Sequence, residues 1–171
     1  MIVLRRARTL AVLGFLLAGG VGIISSTQTW VAVHRADTEQ ALLVSGADAL
    51  VLLAPLSLAV LALGGALSIA GRVLRYLIGV LGAAGAIVLT LGTLPILIAP
   101  PLEAVAPALT EATGLSGDSA LTSIATTLEP SGWAAAALAG WAVLLVASVF
   151  VLATAHRWKA GGRRYEQPAS G

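Results

Sequence analysis

The sequence predicts an all-α integral membrane protein, a bundle of four transmembrane helices with both termini cytoplasmic. Three observations carry that expectation: the composition, four long apolar segments, and a one-sided distribution of basic residues. Of the 171 residues, 58% are apolar and 11% charged, with a mean hydropathy of +0.95. A soluble domain has about 45–50% apolar and about 25% charged residues. The chain has no cysteine, which excludes disulfides, thiolate metal sites and a cysteine nucleophile. A sequence pI of about 9.7 does not point to nucleic acid, because the basic residues lie beside apolar segments rather than along one polar face.

A helix that crosses a bilayer needs about 20 largely apolar residues. Four segments qualify, at about 10–26, 49–70, 74–99 and 133–155, leaving outer loops at about 27–48 and 100–132. Residues 1–160 thus form one membrane domain, followed by a basic, flexible cytoplasmic tail at 161–171. Arg5, Arg6, Arg8, Arg72, Arg75, Arg157, Lys159, Arg163 and Arg164 all fall at the N-terminus, in the 71–75 turn or in the tail. Arg35 is the exception. Cytoplasmic loops carry the excess of Lys and Arg, so both ends are expected inside the plasma membrane, with these side chains against anionic inner-leaflet lipids. A cleaved signal peptide fits "RRAR" and the apolar stretch after it. However, no clear A-x-A site follows, and cleavage would remove a span.

The interface anchors come next. "SSTQTW" (25–30) is read as the frayed outer end of the first span, with Trp30 at the headgroups. Trp133 and Trp158 stand about 25 positions apart, or ~37 Å of helix, which suits a hydrocarbon core of ~30 Å plus part of each interface. Tyr76 adds an inner anchor, and Trp141 faces either lipid or a neighbouring helix. Glycines recur in all four spans. Small residues let helices approach closely in lipid, so they favour an internal bundle over a homo-oligomer or a membrane-protein partner. Pro55 and Pro95 sit near outer helix ends, where a kink is tolerated.

In the first outer loop, "TWVAVHR" (29–35) and "ALLVSG" (41–46) read as a short β-hairpin. Its alternation puts Val31 and Val33 on one face and Trp30, Ala32 and His34 on the other. Asp48 is placed to cap the second helix. In the second loop, 102–113 and 118–128 read as short amphipathic helices, the first ending at Gly114.

Site chemistry is sparse. No span has an ionisable residue in its middle, Arg75 lying at the inner end of the third, whereas ion-coupled transport ordinarily uses such groups. No G-x-x-x-x-G-K-[ST] phosphate loop appears. His34 and His156 fall on opposite sides of the membrane, and His34 has only Asp37 or Glu39 as nearby partners. The expectation is therefore no enzyme, no metal and no cofactor. Gln28, Trp30 and His34 form the one candidate contact patch, on the outer side.

The C-terminus reads "HRWKAGGRRYEQP" (156–168). Arg157–Trp158, Gly162–Arg163–Arg164–Tyr165–Glu166 and Pro168 resemble the C-terminal signature of the tryptophan-associated transmembrane protein family. Gln28 and Trp30 match its Q-x-W, and Ser45–Gly46, Asp48 and Ala54–Pro55 resemble its entry into the second helix. "EPSGW" (129–133) sits where the family enters its last span. Gly161 departs from the pattern, where a methionine or similar apolar residue stands in some members. The resemblance implies a small actinobacterial four-span protein encoded within or beside tryptophan biosynthesis operons, and no catalytic residues. The preferred reading is a non-enzymatic accessory or interaction protein linked to tryptophan metabolism. Two others stay open: a small oligomeric permease or exporter for tryptophan, indole or a related aromatic compound, and an envelope-facing sensor.

Overall fold

The computed structural model describes residues 6–157. The chain opens with helix α1 (Ala7–Ser26), followed by strands β1 (Thr29–Arg35) and β2 (Leu42–Ser45). A single-turn helix α2 (Gly46–Ala49) leads into α3 (Leu53–Leu67), and after a short turn α4 runs from Arg72 to Ile98. Two short helices, α5 (Leu102–Thr113) and α6 (Asp118–Ile124), lead to strand β3 (Ala125–Pro130). Helix α7 (Gly132–Thr154) and a closing 3-10 turn, Ala155–Arg157, complete the described chain. The protein is therefore mostly helical, with the expected first-loop hairpin extended into a small three-stranded sheet.

Among the described residues, three helices, α1, α4 and α7, are long and apolar enough to cross a membrane. The expected second span is shorter than its apolar run: α3 has 15 residues. Ser45 explains the late start. Its side chain accepts from the backbone N–H of Asp48 at 3.2 Å, capping α2, and Leu50 then turns extended at φ −133°, ψ 98°. Apolar character favours burial but does not keep a backbone helical across a cap. Ser45, not Asp48, is thus the capping residue here. Pro55 lies in the first turn of α3, where a helix has no intrahelical partner for its N–H, so no hydrogen bond is lost.

Around the bundle the helices stand in the order α3, α1, α7, α4. Outward they show an apolar surface that includes Leu17, Val80, Leu91 and Val146, as a lipid-facing belt requires. Inward, the glycines bring backbones together. A Cβ added at Gly22 would stand 2.1 Å from Ser57 Oγ and 2.7 Å from the Trp141 ring, so nothing larger fits there. Gly20, Gly65 and Gly85 have open space instead, and only part of the glycine content is explained by internal packing.

The first-loop hairpin forms as expected, β1 pairing antiparallel with β2. The second loop departs from expectation. Its first helix ends at Gly114, whose φ of 77° suits glycine. The next helix, expected over 118–128, stops at Ile124, and 125–130 becomes β3, antiparallel to β1. The sheet order is β2-β1-β3. Thr126 and Thr127 are β-branched and favour extended backbone, and β1 offers them a second free edge that only the folded chain brings near. Strict alternation also fails along β1. A register irregularity between Thr29 and Val31 lets Trp30 and Val31 both be fully buried, as a bulge does. Beneath the sheet, Val33 and Val44 pack with Val105 and Leu109 of α5 and Leu121 of α6.

The N-terminus of α1, the α3–α4 turn and the end of α7 share the opposite end of the bundle. There Arg8 donates to Ser68 O at 3.4 Å, and Arg75 reaches the carbonyl of Ala155 at 3.0 Å.

Candidate functional site

The densest set of specific interactions surrounds Trp30, where the sheet meets the helices. Its indole Nε1 donates to Ser25 O, in the last turn of α1, at 3.0 Å. Gly46, opening α2, lies flat on the ring: a Cβ there would stand 2.6 Å from Nε1 and 2.8 Å from Cε2. The Gly46 N–H donates to Gln28 O at 3.0 Å. From the third side, the Ser131 N–H donates to Trp30 O at 2.7 Å, and Ser131 Oγ donates to Thr29 O. The same hydroxyl accepts from the N–H of Trp133 at 3.2 Å and so caps α7. Four segments far apart in sequence, at 25–30, 45–48, 105–109 and 131–133, meet around one core.

This placement decides what the candidate patch can do. Gln28 is half-buried at the start of β1, and its backbone carbonyl carries its contact with Gly46. Trp30 is fully enclosed and presents no ring to a ligand or to lipid from outside. His34 is half-buried at the far end of β1, its Nε2 3.4 Å from Glu129 Oε2 on β3 but not aligned for a hydrogen bond. The structure therefore does not bring Gln28, Trp30 and His34 to one exposed face. The hairpin tip holds a tighter pair: Arg35 Nη2 meets Asp37 Oδ2 at 2.6 Å and Arg35 Nε meets Oδ1 at 2.9 Å. Hydrogen bonding from Arg35 holds the Asp37 carboxyl below its ordinary value and raises the guanidinium in return. Asp37 is thus engaged with Arg35, not with His34.

A second polar cluster lies in the bundle beneath Trp30. Trp141 Nε1 donates to Thr93 Oγ1 at 3.0 Å, both residues fully buried. Trp141 faces its neighbours rather than lipid. Ser57 Oγ and Ser148 Oγ are buried without a hydrogen-bond partner among the described residues. Sequence reasoning does not single out Thr93, Ser131 or Ser25. A legible signal existed for two of them: Ser131 precedes an apolar run at the N-cap position, and Thr93 is a hydroxyl inside a span.

The remaining predicted anchors divide in two. Trp133 is 39% exposed at the start of α7, and Tyr76 is half-buried against the core. Arg6 and Arg72 are exposed and Arg8 half-buried. Arg75 is only 2% exposed, donating from Nε to Ala70 O at 3.1 Å and from Nη1 to Ala155 O at 3.0 Å. It ties the α3–α4 turn to the end of α7. Arg157 closes the 3-10 turn, while Arg5, Trp158, Lys159, Arg163, Arg164 and the tail at 161–171 lie outside the described residues. Among the described residues, no group of three His, Cys, Asp or Glu side chains is gathered that would hold a metal.

No curated protein and no solved structure matches the chain. The family model described as tryptophan-associated transmembrane protein does, over residues 12–171. Of the segments that carry the resemblance, Gln28–Trp30, Ser45–Gly46–Asp48 and Glu129–Trp133 converge on the Trp30 core, whereas Ala54–Pro55 lies in the first turn of α3. With all but the first eleven residues matched, the chain belongs to the tryptophan-associated transmembrane protein family.

Proposed function

We propose that the protein is a non-enzymatic accessory protein of the plasma membrane, linked to tryptophan metabolism, that presents its three-stranded cap to a protein partner. In this reading α3 crosses the membrane with α1, α4 and α7. The 15 residues of α3 give ~22 Å of helix, and the turns at 50–52 and 68–70, both hydrogen-bonded to it, extend its reach. The arginine end is cytoplasmic, since Arg6, Arg8, Arg72 and Arg75 gather there while Asp37, Glu39, Asp48, Glu103, Glu111, Asp118 and Glu129 lie in the segments of the sheet end.

The observation that carries the reading is the construction of the cap. Backbone groups of Gln28, Gly46 and Ser131 hold the sheet to the bundle around Trp30, which is what a fixed docking surface needs. A permease finds less support: Trp141, hydrogen-bonded to Thr93 and packed against Gly22, fills the middle of the bundle.

Crosslinking in intact cells followed by affinity purification tests the proposal. A specific partner is expected, lost when the exposed cap residues Thr127 and Glu129 are replaced. Recovery of the protein alone, together with unchanged growth and tryptophan-pathway metabolites in a deletion strain, would overturn it. Transport of labelled tryptophan by proteoliposomes would give the function to the permease reading instead.

A further inference from the structure

One groove on the helices faces away from the core. Helices α1 and α7 touch through small residues: a Cβ at Gly14 would stand 2.9 Å from that of Ala147. Their line of contact is therefore deep. Leu10 on α1 and Val143, Val146 and Phe150 on α7 rise on either side, enclosing about 430 Å³. That volume lies within the ~300–1,000 Å³ range of ordinary ligand sites. The walls are wholly apolar side chains, and the groove is open to the side, where Val146 is 69% exposed. From Ala142 to Phe150 it follows α7 for ~12 Å.

The two ends of this groove differ. The end at Leu10 and Phe150 points to the arginine end of the bundle. Arg6 is exposed, one turn before Leu10, and its carbonyl accepts the Leu10 N–H at 2.8 Å. Residues four apart share a helix face, so Arg6 stands at the mouth of the groove. Among the described residues, no acid lies at this end; all seven fall in the loops and short elements of the sheet end.

We propose that the α1–α7 groove binds an anionic phospholipid, with one acyl chain lying between the helices and its phosphate at Arg6. An acyl chain matches a long groove walled by apolar side chains, and a single phosphate matches a cationic mouth where no acid lies among the described residues. A second copy of this chain is the poorer occupant. Related by a two-fold axis in the same membrane, it would set its own Arg6 beside this one, and like charges at an interface oppose association.

Native mass spectrometry of the full chain, taken from nanodiscs of equal phosphatidylglycerol and phosphatidylcholine, tests this. One phosphatidylglycerol per chain is expected to be retained. Val146→Trp fills the groove from an exposed position and is expected to abolish retention at an unchanged melting temperature. Should that variant fail to fold, Ala142→Leu, also at an exposed position, gives the same reading. Arg6→Gln is expected to keep a bound lipid but to cut the preference for phosphatidylglycerol about fivefold. Equal retention of the two headgroups by the wild type, or undiminished retention in the folded groove variant, would overturn the proposal. So would disulfide-linked dimers of Val146→Cys in membranes, which would assign the groove to a second copy.

Discussion

At the sheet end, Trp30 is held by backbone groups from three separate segments, Ser25 of α1, Gly46 of α2 and Ser131 before α7. At the arginine end one side chain does the comparable work, Arg75 spanning the carbonyls of Ala70 and Ala155. The first closure distributes its hold over ring packing and neutral hydrogen bonds. The second concentrates it in a charged donor with a rigid fork, whose bonds are individually stronger. Helix C-termini leave carbonyls without partners, and a buried guanidinium satisfies two of them at once. The contrast follows from what each end must join: extended loop segments and the last turn of α1 at one, the α3–α4 turn and the end of α7 at the other.

Substitutions at four places, Trp30, Arg75, Ser131 and the Arg35–Asp37 pair, sharpen the comparison. Trp30→Ala removes the largest buried side chain of the cap and is expected to cost about 3–5 kcal/mol. Limited proteolysis of the hairpin and of 114–131 should rise together, because both loops lose their common core. If only one loop becomes sensitive, the cap is not a single unit. Arg75→Gln comes next, at about 1.5–3 kcal/mol, the range for hydrogen bonds made by a charged group. Its thermal destabilisation should leave the cap's protease resistance intact. Arg75→Lys should recover only part of it, since an ammonium lacks the planar fork.

Ser131→Ala loses a helix cap, worth about 1 kcal/mol, and the bond to Thr29. The fluorescence of the buried Trp30 is expected to shift red while the basic end is untouched. The smallest effect belongs to the Arg35–Asp37 pair at the exposed hairpin tip. Because Arg35 depresses the folded-state value of Asp37, the pair's contribution is present in full above the ordinary aspartate value of about 3.9. It fades as pH falls through the lower folded value. Amide exchange at 36–40 should therefore differ between wild type and Asp37→Asn near neutral pH, and converge in strong acid.

Much of the membrane domain is legible in the sequence. α1, α4 and α7 appear within a few residues of their apolar runs, because a long uninterrupted run has no alternative to helix in lipid. The helix ending at Gly114 and the two strands of the hairpin are equally plain, since glycine and β-branched residues act locally. The site around Trp30 is legible as a set of positions and misleading as a surface. Gln28 and Trp30 stand where a binding rim is expected, yet a bulge turns Trp30 inward. Strict period-two alternation has no means of showing one irregular residue.

What the sequence by itself determined is the membrane character, the gathering of basic residues at one end, and the boundaries set by local chemistry. Each depends on transfer free energy or on the backbone preferences of single residues. Only the tertiary structure decided that 125–130 is a strand and that Arg75 is a clasp. It alone decided that three distant segments share one tryptophan. Those outcomes depend on partners far away in sequence: β1's second edge, the carbonyl of Ala155 and the backbone of Ser131 exist as partners only once the chain has folded.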